Sequence, residues 1–147
     1  MIEFKLDQKL REDCIILGKL EDHYLLLMNN NLVPWFILVP RADVHEFYEI
    51  NKDMQVSLLE HINSLSAFIK DHFQAEKLNI ATIGNIVKQL HIHIIGRRQD
   101  DFCWPGVVWG TQDKQPYSKE QINHIKDLLV EKFNKEFTFT SITNSNT

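Results

Sequence analysis

The chain has 147 residues, 44 % of them hydrophobic and 24 % charged, with a formal net charge of −4 at neutral pH. That size and usage predict one globular domain with a real core and exclude intrinsic disorder. An acidic chain without a basic stripe is not built to grip nucleic acid, whereas a small phosphorylated ligand needs only a few local donors.

Glu, Lys, Asp and Arg are spread through Met1–Leu20, so no secretory signal is read there, and no apolar run approaches the ~20 residues that span a bilayer. A cytoplasmic protein without membrane partners is expected. Cys14 and Cys103 lack a paired spacing and are expected as reduced thiols.

In chain order, Asp7 is placed to cap a short helix through Arg11-Glu12-Asp13. Cys14–Leu17, closed by Gly18, reads as a first strand and Tyr24–Met28 as a second. Asn29-Asn30-Asn31 forms the turn, and Trp35–Val39 is a third strand ended by Pro40. Asn51 can cap a long helix whose apolar positions Met54, Leu58, Ile62, Leu65, Ile69 and Phe73 make one buried stripe. Leu78–Ile83 is read as a fourth strand and Gln89–Ile95 as a fifth. Ser118-x-x-Gln121 has capping-box form and opens a second main helix with Ile122, Ile125, Leu128, Leu129 and Phe133 on one side. Ser141–Thr147 reads as a polar, frayed end. Short turns between strands predict an α+β domain, with an antiparallel five-stranded sheet, the long helix across it and a C-terminal helix.

The chemistry concentrates in Gln89-Leu90-His91-Ile92-His93-Ile94-Ile95-Gly96. Strand alternation sends Leu90, Ile92 and Ile94 to the core and Gln89, His91 and His93 to the other face. Same-face neighbours sit roughly 6.5–7 Å apart, close enough for both imidazoles to reach one phosphate or two adjoining ones. The bland reading is a pair of half-buried polar residues; a metal site is the next competitor, since neutral imidazole is a common ligand.

The run upstream decides between them. Residues 79–96 resemble the histidine-triad (HIT) superfamily of nucleotide hydrolases and transferases, whose signature is His-φ-His-φ-His-φ-φ with φ apolar. His91 and His93 fall on its second and third histidines, Gln89 replaces the first, and Gly84-Asn85 falls where the family has a Gly-Gln turn. The strand-turn-strand entry ending at Pro40-Arg41 agrees, and Trp104–Gly110 is similar to a bacterial branch of the family. The resemblance covers 1–110 as the HIT domain, with 111–147 a helical extension of the same domain.

The resemblance implies attack by His91 on the α-phosphorus of a nucleotide and a nucleotidyl-imidazole intermediate, as in diadenosine tetraphosphate hydrolases. A free imidazole titrates near pH 6.5 and keeps a nucleophilic neutral fraction at pH 7. His93 would hold the transferring phosphate or leaving-group oxygen and, if cationic, stabilise developing charge. Gly84 and Asn85 would donate to phosphate, with Asn79 a weaker candidate one residue short of the usual spacing. Asn29 or Asn30 would grip the ribose. Gln89 can hydrogen-bond but supplies neither proton nor charge, a loss of about ten- to hundredfold in rate if that contact belongs to the transition state. Restoring histidine there is expected to leave activity equal or raise it. The resemblance also implies a homodimer, for which the helix 52–73 and the Trp-bearing segment offer surface.

Alternatives stay open. One is a nucleotide-binding or sensing protein with little turnover, favoured by Gln89, Asn85 and the spacing of Asn79. Another is a metal-dependent hydrolase using His91 and His93, which lacks a third ligand in the sequence. Zinc-binding relatives carry Cys-x-x-Cys and a His after the Pro-basic turn. Here only Cys14 is present and Ala42-Asp43 follows Arg41, with His45 displaced, so no metal or cofactor is expected. His23, His45, His61, His72 and His124 read as solvated or half-buried. Trp104 and Trp109 either shield the site or pin the C-terminal segment, the second slightly favoured. Base and leaving group (dinucleoside polyphosphate, phosphoramidate, acyl-adenylate or nucleotide sugar) are not legible.

Overall fold

In the computed structural model, residues 4–139 are described; the polar end Ser141–Thr147 lies outside them. Helix α1 (Gln8–Asp13) is capped by Asp7, whose carboxylate accepts from the Lys9 N–H, and leads into β1 (Cys14–Leu20). Strands β2 (His23–Met28) and β3 (Trp35–Val39) follow, then the long helix α2 (Lys52–Phe73). Next come β4 (Lys77–Ala81), β5 (Ile92–Arg97), α3 (Lys119–Phe133) and β6 (Phe137–Phe139).

The strands form one sheet in the order β4-β5-β3-β2-β1-β6, with antiparallel neighbours throughout. The fold is the α+β type expected, with six strands among the described residues rather than five. The extra one, β6, is three residues long and pairs Phe137 with Leu20 across β1. A segment that short carries no periodicity to read; only its partner makes it a strand. β1 also runs beyond Gly18, through a bulge between Ile16 and Gly18, and β4 stops at Ala81 instead of Ile83.

Alternation divides the core into two layers. Phe36 and Leu38 of β3, with Leu90, Ile92 and Ile94, pack beneath Leu58, Ile62, Leu65, Phe68 and Ile69 of α2 and Ile125, Leu129 and Phe133 of α3. Each such buried side chain contributes about 1.5–3 kcal/mol. Trp35, Ile37 and Val39 face the other way with Ile95, Leu26, Leu10 and Val108. Gly96 lets α2 lie close on β5: a Cβ there would sit 2.7 Å from Ile69 Cγ2 and 2.8 Å from Pro34 Cγ. Both main caps form as read, with Asn51 accepting from Met54 N–H and Ser118 and Gln121 closing a capping box. No helix among the described residues is long and apolar enough to cross a membrane.

The strand bearing the histidines begins later than expected. β5 starts at Ile92, so Gln89 and His91 precede it. On one side its partner β3 ends at Val39, before a proline that has no N–H to offer; on the other, the last β4 pairing joins Ala81 to His93. The Leu90 N–H leaves the ladder and donates to the Val44 carbonyl.

Candidate active site

A cleft of about 510 Å³ opens on the face of the sheet away from α2, bringing His91 and His93 together with Gly84, Asn85 and Asn30. Its apolar walls include Leu10, Met28, Ile37, Ile86, Val87 and Val108, and Trp35 and Trp109 close in on the histidines. Volume and lining suit a small organic ligand with a few polar groups.

His91 and His93 are buried, and their ring centroids lie 4.9 Å apart at 66°. His91 Nδ1 lies 2.7 Å from the Gln89 backbone carbonyl. A carbonyl oxygen only accepts, so Nδ1 carries the proton and Nε2 of the neutral ring is left with its lone pair.

His93 is set the other way. The Trp35 indole N–H donates to His93 Nδ1 at 2.9 Å, within the buried layer. Indole is a donor only, so Nδ1 accepts and the proton of the neutral ring resides on Nε2. Trp35 pairs in register with Ile95 and His93 with Ile37, so the two are diagonal cross-strand neighbours within aromatic reach. Burial, and after it the adjacent His91, pushes the His93 imidazole down to about 3. His93 is thus a neutral donor, and the cationic form considered from the sequence is not the one present near pH 7.

Trp109 stands edge-on to His93 at 5.3 Å and to Trp35 at 6.2 Å, and its own Nε1 is buried and finds no partner among the described residues. Of the two readings of the Trp-bearing loop, Trp109 therefore takes the cleft position. Trp104 instead lies over the Arg97 guanidinium, 5.6 Å from ring centroid to Cζ.

Three expected site residues stand elsewhere. The Gln89 side chain is not in the cleft lining: its Oε1 accepts from Asp7 N–H at 2.8 Å and its Nε2 donates to the Lys5 carbonyl at 2.9 Å, tethering the N-terminal segment. Asn79 accepts from Arg97 Nη1 at 2.9 Å on the β4 edge of the sheet, away from the cleft. Asn29 accepts from Tyr117 N–H at 2.9 Å and does not line the cleft either. Asn30 does line it, yet its amide is committed to holding the chain: Nδ2 donates to the Asp113 carbonyl and Oδ1 accepts from Gln115 and Leu32 N–H. The Asn turn is a clamp on residues 113–117.

That clamp brings Thr111, Gln112, Asp113 and Lys114 to the rim. A boundary at residue 110 therefore runs through the wall of the cleft. No pattern in the sequence marks these rim residues or the Trp35 hydrogen bond. Trp35 reads as one more apolar strand residue, and only its diagonal offset from His93 gives it a partner. Gly84 adopts φ +65°, a left-handed turn that glycine occupies without strain, and Asn85 beside it is exposed at the cleft.

Cys14 and Cys103 are both free, and burial pushes the Cys14 thiol up to about 12, an unreactive state. Among the described residues, the one group of potential metal donors is Glu21, His61 and Glu136, within 4.8 Å of one another. It lies by the β1–β2 turn, at the far end of β2 from Met28 and the cleft. That group includes neither His91 nor His93.

A model of the HIT domain matches residues 9–100. A histidine triad protein from Marinobacter aquaeolei VT8 is 40 % identical and superposes with a TM-score of 0.85 over 90 % of this chain and 98 % of that one. One from Sinorhizobium meliloti 1021, also 40 % identical, gives 0.84 over 88 % and 96 %. Bis(5'-adenosyl)-triphosphatase of Dictyostelium discoideum is 25 % identical over 118 residues, 72 % of this chain and 79 % of that one. With its fold and its paired histidines, this chain belongs to the HIT domain family.

Proposed function

We propose that the protein is a nucleotide hydrolase or nucleotidyl transferase acting on an α-phosphate through a nucleotidyl-His91 intermediate. The observation that carries this reading is the 2.7 Å contact of His91 Nδ1 with the Gln89 carbonyl, which leaves Nε2 unprotonated on a residue lining the cleft. Nε2 attacks phosphorus, a P–N bond forms, and the P–O bond to the leaving group breaks with its electron pair on oxygen. Water then displaces imidazole and releases the nucleoside monophosphate, or another acceptor takes the nucleotidyl group in its place, and the proton of the attacking group passes to solvent. A covalent step divides one hard displacement into two easier ones.

His93 Nε2–H and the turn at Gly84-Asn85 are among the donors available to phosphate oxygens, preset before the charge develops, with Gln112 and the Lys114 ammonium at the rim. The apolar walls offer a place for a base. Family membership and the dinucleoside triphosphatase named among the relatives support the same class of substrate, a phosphoanhydride of a nucleotide.

His91→Ala tests it. The variant is expected to keep the fold and nucleoside monophosphate binding and to lose turnover. Wild type quenched with labelled substrate should carry an acid-labile, base-stable adduct. Turnover by His91→Ala at the wild-type rate would sink the assignment.

A second reading is a nucleotide sensor with little turnover. It is favoured by one observation: the Gln89 side chain is spent on the N-terminal segment and brings no catalytic group to the cleft. Tight nucleotide binding without turnover by wild type would select it.

A further inference from the structure

We propose that Trp35 is a positioning residue for the transfer reaction: its indole N–H holds His93 as the neutral Nε2–H tautomer, so the site favours nucleotides whose leaving group departs unprotonated. The inference rests on the reading of His91 as nucleophile.

The geometry is specific. The Trp35–His93 bond is 2.9 Å long and buried, and Trp109 closes edge-on against both rings. The rings packed on His93 come from β3 (Trp35), the loop before α3 (Trp109) and its own segment (His91); of these only His91 titrates. Trp35 and Trp109 carry donors only, and His91 Nε2, the acceptor among these rings, makes no hydrogen bond to His93; an imidazolium would have to set an N–H against the indole N–H. The ring therefore stays neutral, in keeping with the downward push that burial gives it.

Neutrality limits what His93 can do. The Nε2–H of a neutral imidazole donates a hydrogen bond to a phosphate or leaving-group oxygen but does not surrender its proton near neutral pH. As the P–N bond to His91 forms, the P–O bond breaks with its electron pair and without a proton from His93. The departing oxygen takes any proton later from solvent. The position that Gln89 occupies supplies none, since its amide is bound to Asp7 and Lys5. Weakly basic leaving groups tolerate this; strongly basic ones do not.

The test has two arms on the full-length protein. First, histidine-labelled 15N correlation spectra of the free protein, on either side of the ordinary imidazole range, are expected to show His93 as the Nε2–H tautomer throughout. Trp35→Phe should let it protonate at Nδ1. Second, hydrolysis of the 4-nitrophenyl and phenyl esters of adenosine 5′-monophosphate compares a good with a poor leaving group. Wild type should discriminate steeply, and Trp35→Phe should narrow the ratio on the acidic side by about tenfold, the effect of one differential hydrogen bond. Should Trp35→Phe fail to fold, benzothienylalanine at position 35 keeps the shape and removes only the N–H. A wild-type spectrum with His93 as Nδ1–H or imidazolium, beside an inactive His91→Ala, overturns this proposal alone. So does an unchanged tautomer and leaving-group ratio in the N–H-deleted proteins. Turnover of both esters by His91→Ala at the wild-type rate overturns the nucleophile reading and this proposal with it.

Discussion

Gln89 and His91 are joined through the backbone: the Gln89 carbonyl accepts from His91 Nδ1–H at 2.7 Å, while the Gln89 amide turns away to Asp7 and Lys5. Residue 89 thus orients the His91 imidazole by a group every residue possesses. Its own side chain serves the N-terminal segment.

This relationship narrows what is expected of a histidine at position 89. Gln89→His keeps the carbonyl but cannot keep both amide contacts, so it is expected to leave kcat unimproved and to cost about 1–2 kcal/mol of stability through the loosened N-terminal segment. Urea unfolding and steady-state kinetics of the variant check it. A gain in kcat of tenfold or more would show that the side chain does reach the reacting phosphate.

Acid should weaken the fold through His93. Its folded pKa is pushed down to about 3 from an unfolded value near 6.5, so between those values the unfolded chain binds one more proton. Stability from this group is complete above the upper value and falls as pH drops towards the lower one, by about 1.4 kcal/mol per pH unit at most. Burial lowers His23 in the same direction. Urea unfolding across the mildly acidic range should show this slope in wild type and a shallower one, by about one proton, in His93→Gln. Equal slopes would mean that His93 is not buried as a neutral ring.

Arg97 and Asp101 form a bidentate pair, at 2.8 and 3.0 Å, with both side chains nearly inaccessible to solvent. Asp101→Ala strands the guanidinium in the interior with Asn79 and Cys103 as its remaining hydrogen-bond partners and the Trp104 ring above it, none of them an anion. A loss of about 3–5 kcal/mol is expected, the usual result of breaking a buried pair by one partner. Neither residue lines the cleft, so the fraction that remains folded should turn over substrate at the wild-type rate. A denaturant midpoint unchanged from wild type would contradict the burial of the pair.

Much of the frame could be read from local chemistry. The caps Asp7, Asn51 and Ser118 are side chain-to-backbone bonds within three residues, so the sequence carries them whole. The stripe Leu58-Ile62-Leu65-Ile69 and the split of Ile92 and Ile94 from His93 follow from helical and strand periods alone. What lay outside its reach depends on partners distant in the chain. β6 is a strand only because β1 bonds to it, and β5 starts at Ile92 because β3 has run out at Pro40. Asn29 and Asn30 look like ligand-gripping residues until residues 113–117 arrive to use their amides. The proton states of His91 and His93 were likewise decided in three dimensions. Two imidazoles two residues apart are chemically alike in sequence, and they differ here because one meets a carbonyl, which can only accept, and the other an indole N–H, which can only donate.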